Sequence, residues 1–332
     1  MSGTWESFGW RSEEIPHGPL DEATRRANDL PRTLAPVPGA DVTQRPVFEP
    51  ALKQYQNAYR ATDPVFADPE RGAAWHTARR RALDTVLAAT AGSPWAGSLL
   101  LRGSVLMALW FGPAAREPGD LDFVVVPESW SIEEERTARM LDGIARAAQA
   151  RPGEVSFSAR DAVVEDIWTY DRVPGRRMVL PWSAPGLPGG HVQLDFVFNE
   201  RPAREPEPVE LPGGGVLLAA TPALSLAWKL MWLIDDAHPQ GKDLYDAVLL
   251  AERHALPYDL LLRAFRLSGS ETLAGRHRAE ITLADVERAA EWVEWDHFVT
   301  EYPRFGGRAR EFADRLVRAV GPTFRAGAAP AG

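Results

Sequence analysis

Two short segments leave this chain few folds to choose from: Leu99-Leu-Leu-Arg102-Gly103-Ser104 and, further on, Asp120-Leu-Asp122-Phe-Val-Val-Val126. Each reads as a buried strand, and the first is bounded by Gly97 and Gly103. Gly103-Ser104 opens a helical run, VLMALWF, that Gly112 and Pro113 stop. The order is therefore strand, Gly-Ser, helix, turn, strand, with an acidic pair heading the second strand. Residues two apart on a strand project from one face, so Asp120 and Asp122 point together while Leu121 faces the core. Two carboxylates so placed repel unless a cation lies between them. A hard divalent ion with oxygen ligands, magnesium being the usual one, satisfies both. Gly103-Ser104 lies where free backbone N–H groups and a helix dipole favour an anion. Taken singly, Gly-Ser reads as a simple helix cap. Asp-x-Asp alone reads as a solvated strand end or a sugar-nucleotide glycosyltransferase motif. In this order they set an anion cradle beside a metal pair on one sheet edge.

The rest of the chain divides around that pair. Residues 1–50 are rich in Pro and charge and read as a loosely ordered arm, with Trp5 and Trp10 as aromatic anchors onto the main domain. Residues 51–200 carry the α/β pattern. A helix is expected over Ala73–Ala89, with Trp75, Ala78, Ala82, Val86 and Ala89 on one face and Arg79, Arg80 and Arg81 on others. Ser131 and Glu134 form a capping-box pattern ahead of a helix reaching Ala150. FSARDAVVEDIWTY, RRMVLPW and HVQLDFVFN read as strands. After a proline-rich linker, 201–215, the pattern is helical through residues 216–324. Thr221-Pro222 and Lys242 open helices, Thr282 and Asp285 cap a third, and a last one runs over Gly307–Val320. The tail 325–332 is expected to fray. Trp292, Trp295 and Phe298 read as core.

A third carboxylate, Asp195, lies in the apolar strand HVQLDFVF, where an unpaired buried charge is costly. Either it faces solvent in alternation with Gln193, or it needs a partner such as a metal or a hydroxyl proton. On a helix from Thr221, the residues Leu224, Ala227, Leu230, Met231 and Ile234 form an apolar stripe, leaving Lys229 on the other side with Ser225, Trp232 and Asp236.

Composition narrows the classes. The 332 residues carry 46 acidic against 37 basic side chains, a net charge of -9, so a polyanionic substrate needs a local basic patch. The absence of cysteine excludes disulfides and thiolate metal sites and fits a reducing cytoplasm. No apolar run approaches the ~18 residues of a membrane span, so no membrane partner is expected. The N-terminus does not read as a signal peptide. The histidines show no metal spacing, and neither a Ser-His-Asp set nor a Walker-type loop is present.

Gly103-Ser104, Arg116-x-x-x-Asp120-Leu-Asp122-Phe, Leu226-Ala-Trp-Lys229-Leu and Lys242-Asp243-Leu-Tyr-Asp246 together resemble the AbiEii/AbiGii-type nucleotidyltransferase toxins of the polymerase-beta-like superfamily. The resemblance covers roughly residues 99–253. It implies a mixed α+β nucleotidyltransferase core followed by a helical C-terminal half. It further implies magnesium on Asp120, Asp122 and Asp195, with Asp195 helping to deprotonate the attacking hydroxyl. Gly103, Ser104 and Arg116 would lie at the nucleotide, Lys229 would reach the triphosphate, and Asp243 and Asp246 would supply functional acid. The implied partners are a nucleoside triphosphate, an RNA end such as the tRNA acceptor, and a cognate antitoxin. Two departures stand out. The stretch from Gly103-Ser104 to Asp120 is a few residues longer than usual, the excess falling in the turn Gly112–Gly119. A serine common two residues after the arginine is Pro118. Rival readings are an enzyme modifying a small hydroxyl compound such as an antibiotic, and a non-catalytic interaction module of the same fold. By residue chemistry alone, Lys229 could be a surface lysine, Lys242 and Asp246 an exposed pair, and Arg79–Arg81 a solvated face or an RNA-backbone patch.

Overall fold

Asp122 and Asp195 sit side by side because their strands are parallel neighbours in a mixed eight-stranded sheet. The computed structural model describes residues 36–48, 59–169, 173–236, 238–274 and 280–327. Trp5 and Trp10 lie outside them, as do residues 328–332. Four short strands come first: β1 (Val42–Thr43), β2 (Pro46–Phe48), β3 (Tyr59–Ala61) and β4 (Val65–Phe66). β1 pairs with β4 and β2 with β3, both antiparallel. This segment is held to the rest by buried Val47 and Phe66, the latter against Trp75.

Helix α1 spans Pro69–Ala91, longer than its apolar period suggests, because Asp68 caps it and Pro69 starts it. Its expected face, Trp75 to Ala89, is buried. Strand β5 (Leu99–Arg102), helix α2 (Ser104–Phe111) and strand β6 (Asp120–Val125) follow. Helix α3 begins at Glu135 and ends at Gln149. The Ser131–Glu134 pattern forms only a preceding turn, in which the Glu134 carboxylate accepts the Ser131 N–H at 2.7 Å. Strands β7 (Ser156–Phe157), β8 (Val163–Thr169), β9 (Val173–Ser183) and β10 (Gly190–Val197) complete the expected β region.

The proline-rich linker corrects the sequence reading. It holds β11 (Glu207–Glu210), and the four residues after it, Val216–Ala219, are β12 rather than the start of a helical half. The Gly213-Gly214-Gly215 turn folds these into a hairpin, and β12 then pairs parallel with β5. The sheet order is β11-β12-β5-β6-β10-β9-β7, with β8 also on β9. Central β5, β6 and β10 have apolar side chains buried throughout, the pattern of strands covered on both faces.

The helices that follow are α4 (Pro222–Asp235), α5 (Gly241–Arg253), α6 (Tyr258–Leu267), α7 (Glu271–Ala274), α8 (Leu283–Glu291), α9 (Trp295–Glu301) and α10 (Ala309–Gly327). Thr221 caps α4 through the Leu224 N–H, and Thr282 with Asp285 makes the capping box of α8. Helix α4 contacts α5, α6 and α8 and is the hub of this half. It is buried from Leu224 to Met231 without a break, so the one-sided stripe expected for it is corrected. Leu226, Trp228 and Leu233 make it apolar nearly all round, and such a helix belongs in an interior. Helix α10 continues past Pro322, and the buried Thr323 hydroxyl donates to Leu256 O. Trp295 and Phe298 are core, but Trp292 is 74% exposed. One apolar cluster runs from Phe66 through the sheet to Val320.

Candidate active site

Register across four strands builds a row of charge. β10 puts Asp195 beside Asp122, β5 puts Arg102 opposite Asp122, and β9 puts Arg177 opposite Asp195. Asp195 is 8% exposed and uses both oxygens on Arg177, at 2.9 Å from Nε and 2.7 Å from Nη2. Gln193 Nε2 donates to it at 3.3 Å. The solvent-facing reading of Asp195 is therefore corrected: it is buried, and an arginine on the neighbouring strand meets its charge. Arg102 is buried with Glu200, which accepts from Nη1 at 3.1 and 2.9 Å, and lies over the Trp228 and Trp232 rings.

Asp122 is pushed up to about 7 by burial, and further by the charges of Asp120 and Asp195; Arg102 and Lys242 pull the other way. Gly103, at φ +80°, lies directly under it. A Cβ there would stand 2.2 Å from Asp122 Oδ2, so only glycine permits both the turn and the carboxylate's position. Ser104 is fully buried and its hydroxyl donates to Asp120 Oδ1 at 3.2 Å.

The acids fit a divalent cation in part. Asp120 and Asp122 share the strand face, and Asp122 is held in a state that added positive charge would relieve. Among the described residues, however, no three acid or histidine side chains converge to enclose an ion. Asp195 is turned to Arg177 instead.

Lys229, Asp243, Asp246 and Arg116 form a second, buried cluster. Lys229 Nζ lies 2.6 Å from Asp243 Oδ1 and 3.3 Å from Asp246 Oδ2, over the Trp232 ring. Asp246, fully buried, also accepts from Arg116 Nε and Nη2 at 3.1–3.2 Å. Burial alone would raise the Asp246 carboxyl, but Arg116 and Lys229 outweigh it and hold it below its usual range. The surface-lysine and exposed-pair readings are thus corrected. Tyr245 on the same helix donates to Ala114 O at 2.5 Å. Helix α5 so grips the turn that precedes the acids at two points, Ala114 and Arg116.

Two cavities meet at that turn. One, of about 180 Å³, is lined by Asp120, Arg116, Arg177 and Lys242 and walled by Arg60 and Thr62 of the N-terminal segment. Arg60 is fixed there by Glu301, at 2.8 and 2.9 Å. The other, of about 620 Å³, adjoins it through Arg116, Glu117, Glu301 and Tyr302. The arginine run does not form one solvated face. Arg79 is 9% exposed and pairs with Asp63 at 2.6 Å, Arg80 pairs with Glu117 at 2.9 Å, and Arg81 pairs with Glu154.

Sequence reasoning missed Arg177, Arg102, Glu200, Tyr245 and the Arg60–Glu301 bridge. The signal for Arg177 was an arginine inside the apolar strand RRMVLPW; its partner depends on the register set by the turn between β9 and β10.

A mixed sheet with Gly-Ser before a helix and an acidic pair at the head of the next strand is the arrangement of a nucleotidyltransferase core. Residues 85–326 match the family described as nucleotidyl transferase AbiEii toxin of type IV toxin–antitoxin systems. The match spans well over half of the chain, and the chain belongs to this family. The family is one of toxins, which implies an antitoxin as partner. A solved structure, that of an antigenic nucleotidyltransferase-like protein from Paracoccidioides brasiliensis, is similar at 15% identity over 59% of this chain and 84% of that one. Its TM-score is 0.32. No curated protein matches. Among the described residues no helix is long and apolar enough to cross a membrane.

Proposed function

We propose that the protein moves a nucleoside monophosphate from a nucleoside triphosphate onto a hydroxyl at an RNA end, the tRNA acceptor among the candidates, and that it does so as the toxin of a cytoplasmic toxin–antitoxin pair. The observation that carries the reading is Asp122, seated on Gly103, in register with Asp195 and beside Asp120. Asp120 and Asp122 are the residues that would hold magnesium, which supplies charge neutralisation at the phosphates and makes the attacking hydroxyl more acidic. The backbone at Gly103 and Ser104 faces the triphosphate tail from the start of α2. The acceptor oxygen attacks the α-phosphorus, the bond to the β-phosphate bridging oxygen breaks, and pyrophosphate leaves. Asp195 takes the hydroxyl proton, which requires one of its two bonds to Arg177 to be released. Lys242 lines the cavity with Asp120, whereas Lys229 is enclosed between Asp243 and Asp246. We therefore assign the triphosphate contact on α5 to Lys242. Lys229, Asp243 and Asp246 act through Arg116 by fixing the turn.

A small hydroxyl compound as acceptor is the second reading, favoured by the net charge of -9, since cationic compounds prefer acidic surroundings. The two separate when pure protein is incubated with each α-labelled triphosphate and total RNA, with magnesium or with chelator. Label should enter RNA with at least one triphosphate and only with the metal. Label in a small hydroxyl compound, with none in RNA under any condition, would establish the second reading instead.

A further inference from the structure

We propose that the cavity of about 620 Å³ is the seat of the acceptor, taking the terminal nucleotide of a single-stranded RNA end with its base on Tyr302 and its phosphate at Arg304. The inference rests on the nucleotidyl-transfer reading and deepens it by assigning the second substrate to its own place.

Size is the first argument. Ligand pockets for compounds of this kind run to about 300–1,000 Å³. The cavity of about 620 Å³ falls within that range. Position is the second. Arg116, Glu117, Glu301 and Tyr302 line both cavities, so the larger one adjoins the cavity that Asp120 lines.

The walls supply the third argument. One wall is the turn from Gly112 to Glu117, the part of the sequence whose extra length the metal and phosphate roles leave unexplained. Gly112 has φ +52°, a conformation that suits glycine, and a side chain there would meet open space. Tyr245 and Asp246 hold this turn from behind, so the seat is built before a ligand arrives. The other wall is the end of α9 and the residues after it, Glu301 to Arg304.

These walls carry the groups that single-stranded nucleic acid binding needs, an aromatic face and a cation at the rim. Tyr302 is half-buried and rests on the Phe298 ring at 4.9 Å, which fixes its plane. Arg304 is exposed, lies over the Phe305 ring and makes no ion pair among the described residues. Arg80, Arg116 and Arg60 nearby are all engaged by carboxylates. Arg304 is thus the cation of this cavity best placed to meet a phosphate, and it lies far along the chain from the Arg79–Arg81 run.

The test uses the full chain and a short, labelled, single-stranded RNA with a free 3′-hydroxyl, read by fluorescence anisotropy across a salt series. A second readout is the KM for each substrate in the labelling reaction. Tyr302→Leu keeps the packing on Phe298 and removes the stacking face. It should weaken RNA binding roughly tenfold and raise the KM for RNA more than the KM for triphosphate. Arg304→Glu should lower the slope of log affinity against log salt by about 0.7, one single-strand phosphate contact. Wild-type RNA affinity and salt slope in both variants would overturn the seat. So would a wild-type protein that transfers label to a small hydroxyl compound and binds no RNA, an outcome that leaves nucleotidyl transfer itself standing. If RNA binds in the predicted manner and no triphosphate is consumed, the seat survives and the transfer reading fails.

Discussion

Asp122→Asn should abolish transfer and, in chelator at pH 8, make the folded protein more stable. Turnover should fall by roughly 10³-fold or more, because the variant loses one of two carboxylates that hold the charge opposing the triphosphate. The stability gain follows from the raised carboxyl of Asp122, moved from 3.8 to about 7 by burial and then by Asp120 and Asp195. A carboxyl raised on folding binds its proton more tightly in the folded state, so its ionisation opposes folding. That penalty is absent below pH 4, grows between pH 4 and 7, and is complete above. The full shift corresponds to roughly 4 kcal/mol. Asp122 retains some access to solvent, which trims this to ~1–3 kcal/mol. The asparagine variant should therefore melt roughly 1–4 °C higher at pH 8, with the difference shrinking toward pH 4. Magnesium should raise the melting temperature of the wild type and leave the variant nearly unchanged. A variant that melts at or below the wild type at pH 8 would mean that Asp122 is not in a strained, cation-seeking state.

Lys229→Met should destabilise the fold severely. Its ammonium lies between Asp243, 4% exposed, and Asp246, fully buried, and Asp246 keeps Arg116 when the lysine is lost. Asp243 then keeps a buried charge without its cation, and breaking such a pair typically costs 3–5 kcal/mol. Neutralising that charge in Lys229→Met with Asp243→Asn should recover most of the loss. The kinetic effect should appear in kcat, lowered by roughly 10²-fold as the Arg116 turn shifts relative to Asp120, with a KM for triphosphate that changes little. A stable variant whose only defect is a large rise in that KM would show instead that Lys229 touches the triphosphate itself.

The centre of the fold was legible because period-two strands and glycine stops are local signals. Leu99–Arg102 and Asp120–Val125 lie where their apolar runs put them, and Thr221-Pro222 and Thr282/Asp285 start helices as cap chemistry dictates. Pairing was not legible. β12 joins the sheet next to β5, more than a hundred residues earlier, and nothing within Val216–Ala219 names that neighbour. Arg177 meets Asp195 only through the β9–β10 register, which a shift of one residue would undo. That Asp120 and Asp122 share a strand face could be read from the sequence, while the pairing of Arg177 with Asp195 and of Arg102 with Glu200 could not. Lys229 illustrates the difference. Its charge suggested a surface, but the helix around it is apolar nearly all round, and two acids fourteen and seventeen residues later follow it into the interior.

The most direct test of the account follows two labels from one triphosphate, the first on the α-phosphorus and the second on the γ-phosphorus, in a reaction with RNA and magnesium. Nucleotidyl transfer at Asp120 and Asp122 predicts that the α-label enters RNA in step with release of pyrophosphate carrying the γ-label, and that Asp122→Asn stops both. Gamma-label on the acceptor, or α-label transferred at the wild-type rate by Asp122→Asn, would contradict it.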